Sequence, residues 1–174
     1  MACYNQAIVN KRNGIFMSRG KILISACLMG EKVRYDGQDN LITHPVIQGW
    51  QQAQRLLIIC PEMAGGLPVP RAPAEQLGAR VITCDGADVT AAFQRGAECA
   101  RQLAQQQQVV MAILKARSPS CGVGQIYDGS FSRRLIAGDG VTAAALRQMG
   151  IKVFSELQLP EAIAWWQRRL RDEA

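Results

Sequence analysis

The sequence predicts an α/β fold with three layers, in which a mainly parallel, open sheet is covered by helices on both faces. Short apolar runs, of which 56–60 and 109–114 are the clearest, recur along the chain and are separated by segments with helical periodicity. These runs are apolar throughout, as expected for strands that are buried on both faces. Their alternation with helices is typical of crossover connections, which join parallel strands.

The strands and helices are assigned in chain order. We expect strands at 21–29, 56–60, 109–114 and 151–154, with a short or edge strand at 80–83. We expect helices at 44–54, at 88–107 with Asp88 as N-cap, at 141–149 before the stop residue Gly150, and in the C-terminal segment 159–174. The Gly/Pro-rich segment 61–75 contains too many breakers for a regular element.

Two of these helices have a clear apolar face. In the C-terminal helix, Ile163, Trp166 and Leu170 form one stripe with arginines opposite. In the long helix at 88–107, the residues that recur at helical spacing and should face the core are Val89, Phe93, Ala97, Ala100 and Ala104.

The length of 174 residues suits one domain with a sizeable core. Met17 resembles an alternative start, and the first 20 residues lack the continuous apolar segment of a secretory signal. We therefore expect residues 1–18 to be a disordered N-terminal extension, in which Cys3 has no role, and residues 19–174 to form the single domain. No apolar run is long enough to span a bilayer, so no membrane association is expected.

Composition excludes several classes of protein. The six cysteines include no CxxC pair, which argues against a zinc ribbon or a thioredoxin-type redox pair. Without a secretory signal, they indicate the reducing cytoplasm rather than a disulfide framework. The net charge of +6 permits an anionic partner such as RNA but does not require one. The glycine motifs at 122–125 and 138–140 lack the features of a phosphate-binding loop.

Three of the cysteines follow predicted strands. Cys27 lies near the end of the first strand, Cys60 ends the second, and Cys121 lies just past the strand at 109–114. Because ligands of open parallel sheets bind beyond the carboxyl ends of the strands, these three thiols are expected to converge. By contrast, Cys99 in the long helix is expected to be a small buried residue, and Cys84 in its turn to be structural or incidental.

Three convergent thiolates suit a soft metal centre, for which an iron–sulfur cluster and zinc are the first candidates. The alternative for each is an ordinary buried cysteine. Small residues and prolines accompany all three, as in SAC at 25–27, CPE at 60–62 and SPSCG at 118–122. They let the backbone approach a bulky cluster and donate N–H groups to its sulfides, which burial alone does not require.

Four segments in this order resemble the thiouracil desulfidase family: ISACLMGEKVRYDG, CPEMAGGLPVPRAPAE, KARSPSCGVGQIYDG and GDGVTAAALRQMGIKVFSE. The resemblance runs from about Lys21 to Glu156, and SPSCGxGxIYDG is its most specific motif. It implies a compact α/β protein that holds a [4Fe-4S] cluster through Cys27, Cys60 and Cys121. It also implies removal of sulfur from 2-thiouracil-type thiocarbonyls, giving uracil and sulfide.

One position departs from the family pattern. Many relatives have a cysteine directly before RYDG, where this chain has Val33. If that cysteine handles substrate or transfers persulfide, the activity of this protein differs from theirs. The three implied cluster ligands are unaffected.

A [4Fe-4S] cluster with three thiolate ligands leaves one iron without a protein ligand. That iron would polarise a thiocarbonyl, so that water activated by a base attacks the ring carbon without net redox change. Glu62 is predicted to be this base because it lies two residues after Cys60; the alternative is a carboxylate paired with an arginine such as Arg71. Ser118 is predicted to hydrogen-bond substrate or cluster; the alternative is a turn start.

The remaining polar candidates carry weaker signals. Arg34, Tyr35 and Asp36 are predicted to bind substrate, and the alternative is a structural turn with a surface salt bridge. Glu75 and Lys115 are expected to have structural roles. His44, the one histidine, is expected to start a helix before Pro45.

The predicted function is therefore desulfuration of a thiolated pyrimidine, as a free base or a nucleoside, by a cytoplasmic enzyme. One alternative is a tRNA-binding protein that adds, removes or reads 2-thiouridine, suggested by the positive charge and by the helix that carries Trp165 and Trp166. Another is a non-enzymatic carrier of clusters or sulfur.

Overall fold

The computed structural model describes residues 20–172. In this part of the chain the strands are β1 (Lys21–Ser25), β2 (Leu56–Ile59), β3 (Ala74–Leu77), β4 (Arg80–Thr83), β5 (Val109–Leu114), β6 (Gln125–Tyr127), β7 (Leu135–Ala137) and β8 (Lys152–Ser155). The α-helices are α1 (Pro45–Gln52), α2 (Pro61–Ala64), α3 (Thr90–Gln106), α4 (Val141–Gln148) and α5 (Leu159–Asp172). Short 3-10 helices follow β1 at Ala26–Met29 and β8 at Glu156–Gln158.

The main sheet has four parallel strands in the order β2-β1-β5-β8. In the middle of the sheet, Ile24 pairs with Ile58 on one side and with Ile113 on the other. Two antiparallel pairs, β3-β4 and β6-β7, lie outside this sheet. Because the four strands are parallel, all their carboxyl ends meet at one edge of the sheet.

Helices cover both faces of the main sheet, which confirms the three-layer architecture. On one face, Ile22, Ile24 and Ile113 belong to a core cluster with residues of α1 and α5, and Trp50 and Trp166 meet edge to face with ring centroids 5.9 Å apart. On the other face, alternate strand residues such as Leu23 and Ala112 pack with α3 and α4. Fully burying each of the larger aliphatic side chains contributes about 1.5–3 kcal/mol.

Several predicted boundaries differ from those observed. The expected strand at 21–29 ends at Ser25, because the chain turns into the 3-10 helix that closes on Gly30, whose φ is 89° and whose N–H donates to the Ala26 and Cys27 carbonyls. In the segment 61–75, Pro61 starts α2, a position that needs no N–H donor, and β3 follows. The N-cap of α3 is Val89 rather than Asp88, although the Asp88 carboxylate accepts from Thr90 N at 3.0 Å.

The β6-β7 hairpin was not predicted. Its strands have three residues each, and the loop between them contains Phe131 and Arg133 with positive φ angles of 55° and 62°. The Glu75 carboxylate fixes this loop by accepting N–H groups from Gly129 and Phe131, both at 3.0 Å. A tertiary contact of this kind leaves no local sequence signal.

Two predictions concern parts of the chain beyond the described residues. The expected extension at residues 1–18, including Cys3, lies there, so the proposed domain boundary stays a prediction. Within residues 20–172, no helix combines the length and the apolar character that crossing a membrane requires.

Candidate metal centre

Cys27, Cys60 and Cys121 line one cavity of about 640 Å³ at the carboxyl edge of the main sheet. They follow β1, β2 and β5, which are neighbours in the sheet order β2-β1-β5-β8. All three are free thiols. The convergence expected from the sequence is therefore observed, although the three cysteines come from distant parts of the chain.

Cys27 is held in the 3-10 helix that follows β1 and is 8% exposed. Its carbonyl accepts N–H groups from Gly30 at 3.3 Å and from Asn40 at 2.8 Å. The Asn40 side chain also lowers the pKa of the thiol, so it lies beside the sulfur. One asparagine thus ties both the backbone and the sulfur of Cys27 to the loop that carries the RYDG motif.

Cys60 is the N-cap of α2, and this short helix lies directly against α3. A Cβ atom added at Gly96 of α3 would stand 2.0 Å from the Pro61 carbonyl oxygen, and one added at Gly65 would stand 2.0 Å from the Ala92 carbonyl oxygen. The two backbones therefore approach closely because glycine lies on each side of the contact. This packing fixes the position of Cys60 at the start of α2.

Cys121 lies in the SPSCG turn after β5. The Ser118 hydroxyl oxygen accepts N–H groups from Ser120 at 3.1 Å and Cys121 at 3.0 Å, which folds the turn. The GDG motif meets this turn at Gly140, where an added Cβ would stand 2.3 Å from the Ser120 carbonyl oxygen. The fully buried hydroxyls of Ser120 and Thr142 also share a hydrogen bond of 2.9 Å. The GDG glycine thus lets the start of α4 support the cysteine turn.

Burial raises the pKa of all three thiols, and the effect is greatest at Cys121. Hydrogen-bond donors at each sulfur oppose this rise in pKa: the Asn40 side chain at Cys27, the backbone N–H groups of Met63 and Glu62 at Cys60, and the Ser25 hydroxyl at Cys121, with Oγ 3.4 Å from Sγ. Cys60 further raises the pKa of Cys27, and both of these thiols raise the pKa of Cys121. The thiols are therefore close enough to interact and are provided with donors suited to thiolates.

These features fit a cluster better than a single ion. Within residues 20–172, no group of three or more His, Cys, Asp or Glu side chains is arranged to hold a metal ion. A [4Fe-4S] cluster places each thiolate on a different iron, so its ligands stand farther apart than those of zinc, and the cavity has room for such a group. The donor set of three soft thiolates, each with a hydrogen-bond donor, fits an iron–sulfur cluster.

Glu62 lies in the first turn of α2, lines the cavity and pairs with Arg71. The Arg71 Nε and Nη2 atoms are 2.8 Å and 2.6 Å from the same carboxylate oxygen, Oε2. Arg71 also donates to the carbonyls of Pro68 and Val33, both at 3.1 Å. The pairing with Arg71, considered as an alternative to catalysis, is thus present, but it occupies one oxygen of Glu62. No hydrogen bond is observed at Oε1 within the described part of the chain.

The other predicted site residues are partly brought together. Ser118, Arg34 and Tyr35 line the cavity. Asp36 is not among the lining residues: its carboxylate pairs with Arg34 at 2.8 Å and accepts from Gln38 N at 3.1 Å, as in the structural-turn alternative. Asp36 is thus placed to orient Arg34, and direct substrate contact by these residues stays a prediction.

Most of the residues expected to be structural are observed in such positions, and Lys115 is the exception. The His44 Nδ1 atom accepts from Val46 N at 3.2 Å as the N-cap of α1. Glu75 holds the β6-β7 loop. Cys84 is exposed in a turn, and Cys99 is buried in α3. Lys115 lines the cavity and pairs with Glu156, which the sequence did not single out.

Asn40, Ser25 and Glu156 were missed as site residues. The only sequence signal for Ser25 is its place in SAC, and Glu156 ends the last of the four family segments. For Asn40 no signal beyond its nearness to RYDG exists.

The tryptophan pair of α5 belongs mainly to the core. Trp166 is 5% exposed and packs on Trp50. Trp165 is half-buried, packs against the same core, and has the Arg169 guanidinium 5.9 Å from its ring centroid. Trp166 therefore does not provide a surface on which a nucleic-acid base stacks.

Comparison with known proteins assigns this architecture to a family. A family model described as 2-thiouracil desulfurase matches residues 22–158. The uncharacterized protein YbbK of Bacillus subtilis (strain 168) is 38% identical over 152 residues, which cover 82% of this chain and 99% of YbbK. The solved structure of the [4Fe-4S]-dependent thiouracil desulfidase TudS is 52% identical, with a TM-score of 0.81, and the match covers 84% of this chain and 97% of that one.

Proposed function

This chain belongs to the 2-thiouracil desulfurase family, and from that premise we propose that it removes sulfur from thiolated pyrimidines of the 2-thiouracil type with a [4Fe-4S] cluster. The observation that carries the proposal is the convergence of Cys27, Cys60 and Cys121 in one cavity beside Glu62. Thiols alone would suit a carrier of clusters. A carboxylate with one open oxygen in the same cavity adds what a hydrolytic reaction needs.

Cys27, Cys60 and Cys121 are the proposed ligands of the cluster. When bound there, the cluster supplies an iron without a protein ligand, a soft Lewis acid suited to a thiocarbonyl sulfur. Because burial keeps the three thiols protonated, loading the cluster releases protons from this cavity. The Asn40, Ser25 and α2 N–H donors then stabilise the thiolates.

Glu62 is the proposed general base. Its Oε1 atom accepts a proton from the water that attacks the ring carbon of the thiocarbonyl, while Arg71 holds Oε2 and fixes the orientation of the carboxylate. The C–O bond forms as the C–S bond breaks, and the electron pair of that bond leaves with sulfur. Water and a thiocarbonyl thus give a carbonyl and hydrogen sulfide, and nothing is oxidised or reduced.

Ser118, Arg34 and Tyr35 are the proposed contacts to the pyrimidine. The Ser118 oxygen accepts two backbone N–H groups, so its own proton remains available to donate to a ring acceptor in the cavity. Arg34 is held by Asp36 and by the Asn40 side-chain oxygen at 2.8 Å, so its guanidinium is fixed at the cavity wall. These contacts position the ring carbon near Glu62.

We place the reaction in the cytoplasm. The three proposed ligands are free cysteines, and an oxygen-sensitive cluster held by three thiolates needs them reduced. We favour a small thiopyrimidine over thiolated tRNA as the substrate, because Trp166, one of the two tryptophans that suggested base stacking, is buried in the core.

The test is an anaerobic reconstitution with iron and sulfide, followed by measurement of iron content, the visible absorption spectrum and sulfide release from 2-thiouracil. We expect four irons per chain and sulfide release. Replacing Cys121 with alanine should abolish cluster binding, whereas Cys84→Ala, which alters an exposed thiol outside the cavity, should leave it intact. Absence of bound iron in the wild-type protein would refute the proposal, and a loaded protein that releases no sulfide from any thiopyrimidine would indicate a carrier.

A further inference from the structure

Lys115 brings a positive charge into the cavity at the end of β5. It lines the cavity together with Cys27 and Ser25. Its backbone N–H donates to the Ser25 hydroxyl oxygen at 3.0 Å, and that hydroxyl in turn donates to the Cys121 sulfur at 3.4 Å. The Lys115 backbone is therefore tied to the cysteine turn independently of its side chain.

Glu156 holds the Lys115 ammonium in place. One carboxylate oxygen of Glu156 pairs with Nζ, and the other accepts the Ala116 N–H at 2.6 Å. The ammonium also donates to the Ala116 carbonyl at 3.2 Å. Both oxygens of Glu156 are thus engaged, whereas an ammonium with three N–H groups retains one for a further acceptor. The Lys115 side chain is 29% exposed, so a ligand in the cavity can reach it.

The other cations of the cavity either direct most of their hydrogen bonds at groups of the protein or are exposed to solvent. Arg71 directs its hydrogen bonds at Glu62, Pro68 and Val33. Arg34 is engaged by Asp36 and Asn40. Arg117 and Arg133 line the cavity but are exposed, and solvent screens their charges. Lys115 therefore combines partial burial, a fixed position beside the cysteines and an unused donor.

Building on the proposed function, we propose that Lys115 binds the departing sulfur of the substrate and that Glu156, as the counter-ion of Lys115, limits the affinity of the ammonium for that anion. As the C–S bond breaks, its electron pair moves onto sulfur, and the ammonium stabilises the negative charge that develops there. The site then holds hydrosulfide until the product leaves. The step needs no oxidant or reductant, because water supplies the oxygen and the protons.

The charge of Lys115 acts on the part of the cavity that contains Cys27. It lowers the pKa of the Cys27 thiol, whereas Glu156 raises it, so both side chains lie within electrostatic reach of a proposed ligand. A cluster bound by three thiolates would add negative charge at the same place, and a hydrosulfide anion would add more. A fixed cation offsets this accumulation, and a preorganised donor of this kind typically changes turnover by about 100-fold or more.

The experiment measures hydrosulfide binding to the reconstituted protein, without thiopyrimidine, by titration with sodium hydrosulfide and visible absorption. Lys115→Met should weaken this affinity about 10-fold, equivalent to about 1.4 kcal/mol, and should lower kcat on 2-thiouracil by about 100-fold. Lys115→Arg should retain most of both. Lys152→Met is the matched control, because Lys152 is exposed and begins β8 at the opposite edge of the sheet.

Glu156→Gln should change the hydrosulfide affinity in the opposite direction to Lys115→Met. It removes the counter-charge of Lys115 while an amide oxygen can still accept the Ala116 N–H, so hydrosulfide should bind several-fold more tightly. A purely structural ion pair would weaken the site in both variants. Iron content and thermal unfolding identify variants that fail to fold. If Lys115→Met fails to fold, the hydrosulfide affinity of Glu156→Gln decides whether Lys115 binds the anion.

The outcomes separate this inference from the proposed function. Wild-type hydrosulfide affinity in Lys115→Met, or weaker binding in Glu156→Gln, would overturn the role of Lys115 even if the wild-type enzyme desulfurates 2-thiouracil. A wild-type protein that binds hydrosulfide in a Lys115-dependent way but releases none from thiopyrimidines would refute the proposed function alone.

Discussion

Two carboxylate–cation pairs lie around the cavity, and their carboxylates follow the two edge strands of the main sheet. One pair leaves a carboxylate oxygen open, and the other leaves an ammonium N–H unused. Glu62 follows the edge strand β2 and pairs with Arg71, while Glu156 follows the other edge strand β8 and pairs with Lys115. In the first pair Arg71 directs two N–H groups at one oxygen and leaves the other oxygen of Glu62 open. In the second, both oxygens of Glu156 are engaged and the ammonium keeps an unused donor.

The difference follows from the geometry of the two cations. Arginine carries five N–H groups in a rigid fork, so it can saturate one oxygen and still bind two backbone carbonyls. Lysine is a compact point charge, which one carboxylate and one carbonyl leave unsaturated. The same type of ion pair therefore leaves a carboxylate oxygen open on the β2 side and an ammonium N–H unused on the β8 side.

Glu62→Gln should have the largest effect on turnover, because it removes the proposed general base on the β2 side. We expect sulfide release from 2-thiouracil to fall by about 10²–10⁴-fold, the usual contribution of a general base, with unchanged iron content. Kinetic assays and iron analysis on the same sample measure both. Glu98→Gln, the same change at an exposed pair with Arg101 on α3, is the control and should be neutral. An active Glu62→Gln enzyme would remove the base from the β2 side.

Loss of each cation should destabilise the two sides unequally. Arg71→Met leaves the Glu62 carboxylate, 15% exposed, without its partner and should lower the free energy of unfolding by about 3–5 kcal/mol. Lys115→Met should cost only about 1–2 kcal/mol, because Lys115 is more exposed and Glu156 keeps the Ala116 N–H. Urea unfolding of the metal-free proteins measures both values.

A double variant checks this assignment. Glu62→Gln combined with Arg71→Met removes both charges, so it should be more stable than Arg71→Met alone. Equal destabilisation by Arg71→Met and Lys115→Met would mean that Glu62 depends on its cation no more than Glu156 does.

The fold was largely predictable because its signals are local. Apolar runs such as Val109–Leu114 were assigned with the observed boundaries, and the parallel sheet follows from their alternation with helices. The β6-β7 hairpin was not predictable, because short strands carry little periodicity and its loop is held by Glu75 from a distant strand. The turn at Ala26–Met29 was likewise hidden inside an apolar run.

The site was predictable where residues follow strands and unpredictable where they meet across the sheet. Strand-end position anticipated the convergence of Cys27, Cys60 and Cys121. The Glu62–Arg71 pair was foreseen only as an alternative to catalysis, and the structure shows that pairing leaves an oxygen open. The Lys115–Glu156 pair joins β5 to β8, a relation that sequence spacing does not encode.

Ser118→Ala should have a smaller effect, on the turn between Lys115 and Cys121. It removes the acceptor of the Ser120 and Cys121 N–H groups, which are largely buried, and should cost about 1–3 kcal/mol in the free energy of unfolding. Turnover should also fall, because the proposed substrate donor is lost. Ser130→Ala, in the exposed β6-β7 loop, should change stability by less than about 0.5 kcal/mol. Unchanged stability in Ser118→Ala would show that the turn does not depend on this hydroxyl.

The ion pairs should have their smallest effect on the pH dependence of stability, which is dominated by burial of the thiols. Burial raises the pKa of Cys27 and of Cys60; the carboxylates Glu156 and Glu62 raise them further, and the cations Lys115 and Arg71 oppose the rise. Since the folded-state pKa values are raised, their contribution to stability is fully present below the unfolded-state pKa of about 8.5 and is lost as pH rises above it.

The metal-free, reduced protein should therefore lose stability above about pH 8.5, by at most about 1.4 kcal/mol per pH unit for each buried thiol. Replacing Cys121, whose thiol is the most strongly affected, with serine should flatten this slope, whereas Cys84→Ser at the exposed turn should leave it as in the wild type. Lys115→Met should extend the loss to higher pH through Cys27, and Arg71→Met should do so through Cys60. Urea midpoints between about pH 7 and pH 10 measure the slopes, and a wild-type curve that stays flat above pH 8.5 would show that the cavity does not hold its thiols protonated.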